Sequence, residues 1–410
     1  MKIVHTSDWH IGKKLHRHPR HEEFDYFFDW LIDLIEKNQI DILIVAGDIF
    51  DSVTPGNRSQ DQYFNFLARV SASYCSHIVI TAGNHDSPSL LNAPKGIMKA
   101  LNIHVVGNGS IDNPADDVLV LKDQKGEIMA FVCAAPYLRD REIRSVEAGE
   151  KSDDCSKKMQ KGISDYYSAL HDAAFKKKNE LQSSAPVIVM GHLFAAGGKT
   201  AEGDGVRDLY VGTLEHVPAS VFQSDIDYLA LGHLHSPQKV GGKDYMRYCG
   251  SPLPMSFGET GIQKKVIEVC WDGNSRTVKE IDVPCFQRLE RIEGDIDTIK
   301  KVIEQFKKQK QSIWLEIEYT GDDVISSLSE QIIEMTKDSL LEVLLLKNRK
   351  RYDAVLQQSV YTESLDDFSE LQVFTKFMDI NGIEDGQRPD LVKTYKKVLQ
   401  LINEDDKDQL

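Results

Sequence analysis

The sequence is short of positive charge. Lysine and arginine total 49 against 64 aspartates and glutamates, so the 410-residue chain carries −15 near neutral pH. That balance argues against a protein that coats nucleic acid through its overall field, but leaves room for a local basic groove or for charge supplied by bound metals. Long apolar runs are also missing. No stretch approaches the roughly 20 residues of a membrane-spanning helix. The opening MKIVHTSDWH lacks the apolar core of a signal peptide and reads as a first strand. A chain in the cytoplasm, with no membrane partner, is the expectation. Cysteine is sparse. Cys75, Cys133, Cys155, Cys249, Cys270 and Cys285 form no C-x-x-C pair, and most lie in or beside strand-like stretches. Free thiols in a reducing compartment fit that pattern better than a disulfide framework or a thiolate zinc site. There is no tandem repeat, no low-complexity tract and no G-x-x-x-x-G-K-[ST] loop, so any ATP dependence must come from a partner.

What is present is an ordinary globular composition, 41% hydrophobic and 28% charged, at a length that predicts two or three domains. Short apolar strands alternate with helical patterns. Strands are expected at Lys2–Thr6, Ile40–Ala46, His77–Thr81, Ile128–Ala134, Val187–Met190, Tyr228–Leu231, Asp244–Tyr248 and Lys265–Cys270. Helices are expected over Glu22–Lys37, where Phe24, Phe27, Phe28, Leu31, Ile32 and Ile35 keep helical spacing, and over Asn57–Tyr74. The run IDILIVA is continuously apolar, as in a strand covered on both faces. Polar residues Ala148–Asp165 are expected to open as a loop. Together these elements predict an α/β core. Val283-Pro284 marks a boundary. Beyond it, Arg288–Ile292, Thr298–Lys307, Ile313–Tyr319, Val324–Thr336 and Glu342–Leu346 alternate strand and helix, enough for a small second α/β domain. From Ser364 the chain is charged and helix-prone, with Leu365, Phe368, Leu371, Val373, Phe374, Phe377 and Met378 interspersed.

The chemistry gathers where strands end. "LALGHLHSP" places His233 and His235 at i and i+2, on one face of an extended segment. Lys2–Thr6 leads to Asp8 and His10, Ile40–Ala46 to Asp48, His77–Thr81 to Asn84, His85 and Asp86, and Val187–Met190 to His192. The C-terminal ends of strands are where open α/β sheets place ligand sites. Glycines 47, 83, 191 and 232 precede these polar residues and leave room for a metal or phosphate. Any one of the pieces is weak. A lone D-x-H is ordinarily chance, a lone G-H is structural, and G-N-H-D has an Asx turn as its bland reading. The full set in this order is not ordinary. Oxygen and nitrogen donors without thiolates suit manganese, iron, zinc and similar divalent ions. They are too many for one tetrahedral ion, and fit two ions about 3.5–4 Å apart sharing a carboxylate, an arrangement that activates water for attack at phosphorus.

The set D-x-H, G-D, G-N-H-D, G-H and G-H-x-H resembles the calcineurin-like metallophosphoesterase superfamily. "HTSDWHIG", "VAGDIFD", "AGNHDS", "VRDLYVGTL", "ALGHLH" and "RYCGSPLPMSF" narrow the resemblance to the SbcD family of bacterial DNA-repair nucleases, and "IWLEIEYT" and "LLEVLLLK" carry it into the second domain. The resemblance implies two packed β-sheets flanked by helices over residues 1–284, a small α/β capping, DNA-binding domain over 285–348, and a linker with C-terminal helices over 349–410 that dock an SbcC-type ATPase. It implies that Asp8, His10 and His235 hold one divalent ion, Asn84, His192 and His233 the other, with Asp48 between them and Mn²⁺ as the metal. His85 would act on the scissile phosphate as transition-state stabiliser or acid. Asp51 stands where eukaryotic and archaeal relatives carry histidine in "GD-x-F-H", which leaves its role open. The implied activity is ATP-dependent double-strand exonuclease and single-strand or hairpin endonuclease, in DNA repair, recombination and replication, by a homodimer within a heterotetramer. The alternative is a metallophosphoesterase acting on a non-DNA phosphoester, and the non-enzymatic alternative is a metal-binding scaffold.

Two further stretches draw notice. "KKLHRHPRH" is by composition a solvated loop, yet it follows the first ligands directly, so Lys13, Lys14, Arg17 and Arg20 are candidate phosphate contacts. His16, His18 and His21 within it face solvent or DNA in this reading rather than a metal. "GSP" at Gly250–Pro252 makes a turn, and by resemblance shapes the rim of the site.

Overall fold

The computed structural model describes residues 1–143, 152–195, 217–273, 275–321 and 327–348, and beyond them Met378, Arg388, Leu391, Val392 and Tyr395. The C-terminal helices expected from Ser364, apart from those positions, and the "VRDLYVGTL" segment lie outside the described residues. The five described cysteines are free.

Two six-stranded sheets form the core of the N-terminal part. In the first, Lys2–Thr6, Ile42–Ala46, His77–Thr81 and Ile103–Val106 run parallel. The hairpin Lys265–Asp272 and Ser275–Asp282 extends that sheet antiparallel from Lys2–Thr6. In the second, Ile128–Ala134, Val187–His192, Tyr228–Gly232 and Met246–Tyr248 run parallel. Short antiparallel strands Val118–Lys122 and Gln238–Lys239 close its two edges. Ile3, Ile42, Ile44 and Val79 of the first sheet pack with Val132, Ile188, Met190 and Ala230 of the second in one buried cluster. The opposite faces are covered by helices. On the first sheet lies His21–Asn38, whose Phe24, Phe27, Phe28, Leu31 and Ile35 are buried one turn above another. Beside it lies Asn57–Ser71, with Tyr63, Phe66, Leu67 and Val70 inward. The central strands are therefore covered on both sides, which is why ILIVA is apolar at every position.

The second sheet is covered by the helix Ser152–Glu180. Of the stretch Ala148–Asp165 expected to open as a loop, the first four residues lie outside the described residues and the rest, from Ser152, is helical. Met159, Ile163, Tyr166, Tyr167, Leu170 and Ala174 fall at helical spacing and are buried against the sheet. The high polarity of the segment masks that stripe.

The chain leaves these sheets at Asp282 and enters a three-stranded sheet with Arg288–Gly294, Ile313–Tyr319 and Leu341–Asn348 in that order, joined by helices Ile296–Lys307 and Leu328–Thr336. The strand–helix alternation matches the sequence expectation. The chain also divides into two compact units. One comprises Met1–Arg291, Phe306–Glu316 and Thr336–Leu345. The other comprises Ile292–Gln305, Ile317–Met335 and the described residues from Leu346 onward.

Candidate metal centre

The loops that follow the strands are zipped to one another. Asp8 N donates to Gly47 O, His10 N to Asp48 O and Ile11 N to Ile49 O, at 3.0, 3.0 and 2.9 Å. Between the two polar residues of D-W-H, Trp9 turns the other way. It is fully buried, packs edge-on to Phe27, Phe28 and Phe66, and donates its indole N–H to Thr6 Oγ1. The core thus grips the middle residue and presents its neighbours to the site. Asp8, His10, Asp48 and His233 all adopt positive φ, at 52°, 50°, 49° and 102°. Non-glycine residues occupy that region at a cost, which a surrounding structure must hold in place. The glycines are explained by close approach: a Cβ on Gly47 would collide with the His192 ring, and one on Gly83 with the Asp48 carboxylate.

The expected ligands converge. His10 Nε2 lies 3.2 Å from His235 Nε2. Asp48 Oδ2 lies 3.5 Å from His10 Nε2 and 3.3 Å from His192 Nε2, so this carboxylate faces imidazoles on both sides. His192 Nε2 is 3.0 Å from Asn84 Oδ1. The His192 and His233 rings are 5.5 Å apart, and His233 N donates to Asp8 Oδ1 at 2.8 Å. Asp8, His10, Asp48, His192, His233 and His235 are each buried. Donor atoms of Asp8, His10 and His235 come together in one group, and those of Asp8, Asp48 and His192 in another.

These residues fit divalent cations. Two buried carboxylates and several imidazole nitrogens at hydrogen-bond separation cannot all be satisfied by protons, and the donor set is nitrogen and oxygen throughout. The charges register the conflict. Burial pushes the Asp8 carboxyl up. Burial also pulls His192 down, but Asp48 and Asp8 outweigh it and drive its pKa up to about 9. Burial and the neighbouring His192 hold His233 well below the usual imidazole range.

His85 stands beside this group, its ring 4.8 Å from that of His10. Its backbone N–H donates to Asp48 Oδ1 at 2.9 Å, and its Nδ1 lies 2.9 Å from Asp51 O. A carbonyl can only accept, so Nδ1 is the donor and Nε2 the basic nitrogen. The Asp51 carboxylate lies 3.1 Å from Lys13 Nζ and 3.5 Å from His10 Nδ1.

The basic loop divides. Lys14 and Arg17 are exposed and Lys13 is half-buried beside Asp51. Arg20 corrects its expected place among the phosphate contacts. It is 2% exposed, grips Glu23 with two nitrogens at 2.7 and 2.6 Å, and donates to Pro254 O. An arginine whose fork is spent inside the fold cannot reach a phosphate. His16 stacks on Phe257, His18 lies 4.4 Å from Trp314 and 3.2 Å from Glu342, and Nδ1 of His21 is 2.7 Å from Gln62 Oε1. None of the three joins the donor groups.

Sequence reasoning misses the supports. Asp86 closes the G-N-H-D motif, where the pattern suggests a local turn rather than a tie between loops. It is fully buried and accepts from Ile49 N, Phe50 N and Gly83 N at 3.0, 2.9 and 2.8 Å, which ties the second ligand loop to the third. Burial, then the nearby Asp48, raises its pKa to about 6. Glu259 and Lys264, both buried, lie behind His235. The place of Asp86 at the end of its motif is a usable signal, whereas nothing in "SFGETG" marks Glu259.

Comparison with known proteins follows the same lines. The calcineurin-like phosphoesterase family model matches residues 1–237, ending just past His235. A second model, described as the type 5 capsule protein repressor C-terminal domain, matches residues 285–381. The SbcD component of the SbcCD nuclease of Escherichia coli strain K12 is 34% identical over 405 residues, covering 98% of each chain. The chain belongs to the SbcD family of calcineurin-like phosphoesterases. The SbcD component of the Rhodobacter capsulatus nuclease is 34% identical and that of Bacillus subtilis 32%, each over 65% of both chains. Among the described residues, no helix of this SbcD-family chain is long and apolar enough to cross a membrane.

Proposed function

We propose that this chain is the metal-dependent nuclease subunit of an SbcCD-type repair complex. The observation that carries the proposal is the buried meeting of carboxylate, amide and imidazole donors from five strand ends, with His85 beside them. In this reading Asp8, His10 and His235 hold one ion, Asn84, His192 and His233 hold the other, and Asp48 serves both. Mn²⁺ is the proposed metal, because imidazole-rich sites suit it better than Mg²⁺. When bound, the ions supply Lewis acidity and acidify water at the site.

The chain's own groups do the rest. Asp51 O holds the His85 Nδ1–H, which directs Nε2 to the phosphate oxygens. A proton on Nε2 stabilises developing charge or passes to the leaving oxygen, a role worth about 10²–10⁴ in rate. Lys13, Lys14 and Arg17 contact the phosphate backbone, and Arg20 does not. The identity to relatives named as nuclease components supports DNA as substrate, cut by exonuclease action on duplex ends and endonuclease action on hairpins and single strands. The start of the second family model at residue 285 is in keeping with a nuclease domain that ends at 284, and the proposal adds a capping domain over 285–348 and a linker with docking helices over 349–410 for an SbcC-type ATPase. A homodimer in a cytoplasmic heterotetramer completes the proposal.

The test sets a labelled DNA hairpin against p-nitrophenyl phosphate with the purified chain and Mn²⁺. Hairpin cleavage supports the nuclease. Turnover of the small ester with no hairpin cleavage would favour a non-DNA phosphoesterase.

A further inference from the structure

Behind His235 the fold buries an ion pair. Glu259 closes a short 3₁₀ turn, Phe257–Glu259, capped by Ser256, and is fully buried. Lys264, also buried, bonds Glu259 Oε2 and also donates to His235 O and Ser251 Oγ, both at 3.0 Å. Ser251 is the centre of the "GSP" motif. Its N–H donates to His235 O at 3.1 Å, and its hydroxyl donates to Leu253 O at 2.8 Å. Gly250 has φ 80°, and a Cβ there would press on His235 O at 2.6 Å. The turn therefore lets the Ser251 N–H reach the same His235 carbonyl that Lys264 bonds. The other carboxylate oxygen, Glu259 Oε1, lies 3.4 Å from His235 Nδ1 and makes no hydrogen bond within the described residues. A buried Lys–Glu pair is a poor stabiliser, since desolvation of two charges offsets most of their attraction. Here both partners are instead aimed at one residue, one at its backbone and one at its ring.

We propose that Glu259, held by Lys264, is a positioning residue for His235: its Oε1 accepts from the His235 Nδ1–H, which fixes the tautomer and turns Nε2 to the metal. The proposal rests on the two-ion reading of the centre. A carboxylate behind a ligating imidazole orients the ring and raises its basicity. The imidazoles of the two ion sites differ in this respect. His192 Nδ1 is backed by a neutral carbonyl, Ala46 O, at 3.0 Å. The ion held by Asp8, His10 and His235 is accordingly the more tightly bound of the two.

Calorimetric titration of the full-length chain with Mn²⁺, without DNA, tests this, together with the ring-nitrogen NMR shifts of His235 in the metal-free chain. Glu259→Leu/Lys264→Met removes both charges and the acceptor. It should weaken the tighter Mn²⁺ site by roughly ten- to hundred-fold, leave the weaker site in place, and let the His235 ring populate both tautomers. Glu259→Gln/Lys264→Met restores a neutral acceptor, and should recover the single tautomer with a smaller loss of affinity. Wild-type affinity and an unchanged tautomer in both variants would overturn the proposal and leave the pair a structural one. If the leucine variant does not fold, the glutamine variant decides alone: a several-fold loss at the tighter site supports the role, and wild-type affinity overturns it. Failure of the wild-type chain itself to bind Mn²⁺ would instead strike down the two-ion reading, and this proposal with it.

Discussion

Asp48 and His85 are joined by a hydrogen bond from the His85 amide, yet they should fail in different ways when replaced. Asp48→Ala removes the carboxylate that faces both His10 and His192, so metal analysis should find both ions lost and no cleavage. His85→Ala should keep Mn²⁺ and DNA binding while the rate falls about 10²–10⁴-fold. Metal loss in the His85 variant would reverse these roles. His192 gives a pH dependence with a definite sign. In the metal-free chain its pKa is pushed up to about 9, so its proton stabilises the fold fully below about 6.5, and that contribution is lost as pH rises through about 9. The same proton competes with the ion. Mn²⁺ affinity should climb with pH towards 9, and titration at pH 7 in buffers of different ionisation enthalpy should register proton release. Residue by residue, the candidate ligands that converge were legible because a polar side chain directly after an apolar strand and a glycine has few structural uses. Arg20 was not, because its burial depends on Glu23 and on the carbonyl of Pro254, far along the chain. Arg20→Ala should destabilise the fold by about 3–5 kcal/mol and leave the salt dependence of DNA binding unchanged. Arg17→Ala should reduce the salt slope by about 0.9 on duplex DNA.

At the scale of elements, the centre is a set of loops fastened together before any ion arrives. Asp86 is the clasp between the loop after Ile42–Ala46 and the loop after His77–Thr81. Asp86→Ala leaves three backbone N–H groups buried without their acceptor. A loss of about 3 kcal/mol is expected, read as a lower urea midpoint in metal-free protein, with weaker Mn²⁺ binding as a consequence. A variant with wild-type stability would remove Asp86 from that role. The central strands were readable because a sheet covered on both faces demands continuous apolar runs. Short edge strands such as Gln238–Lys239 are paired on one side and carry polar residues, so no such demand marks them. Helix Ser152–Glu180 shows the opposite failure: its periodicity was present, but within a segment polar enough to look like a loop.

For the whole molecule, the charge of −15 repels DNA at long range, so the lone chain should bind duplex weakly, and a partner that holds DNA raises its local concentration at the centre without new contacts there. Truncation near Thr362 should leave a folded, metal-loaded enzyme that cuts short single strands in Mn²⁺ but no longer co-purifies with the ATPase. Co-purification at wild-type stoichiometry would refute docking through the segment beyond Thr362. The most direct measurement combines metal and substrate: cleavage of an end-labelled DNA hairpin by the purified chain after exhaustive chelation and during stepwise return of Mn²⁺, with bound metal counted at each step. The account predicts no cleavage in the stripped chain and activity that appears as the second ion per chain is filled. Full hairpin cleavage by the stripped chain, or a chain holding two ions that leaves the hairpin intact, would contradict it.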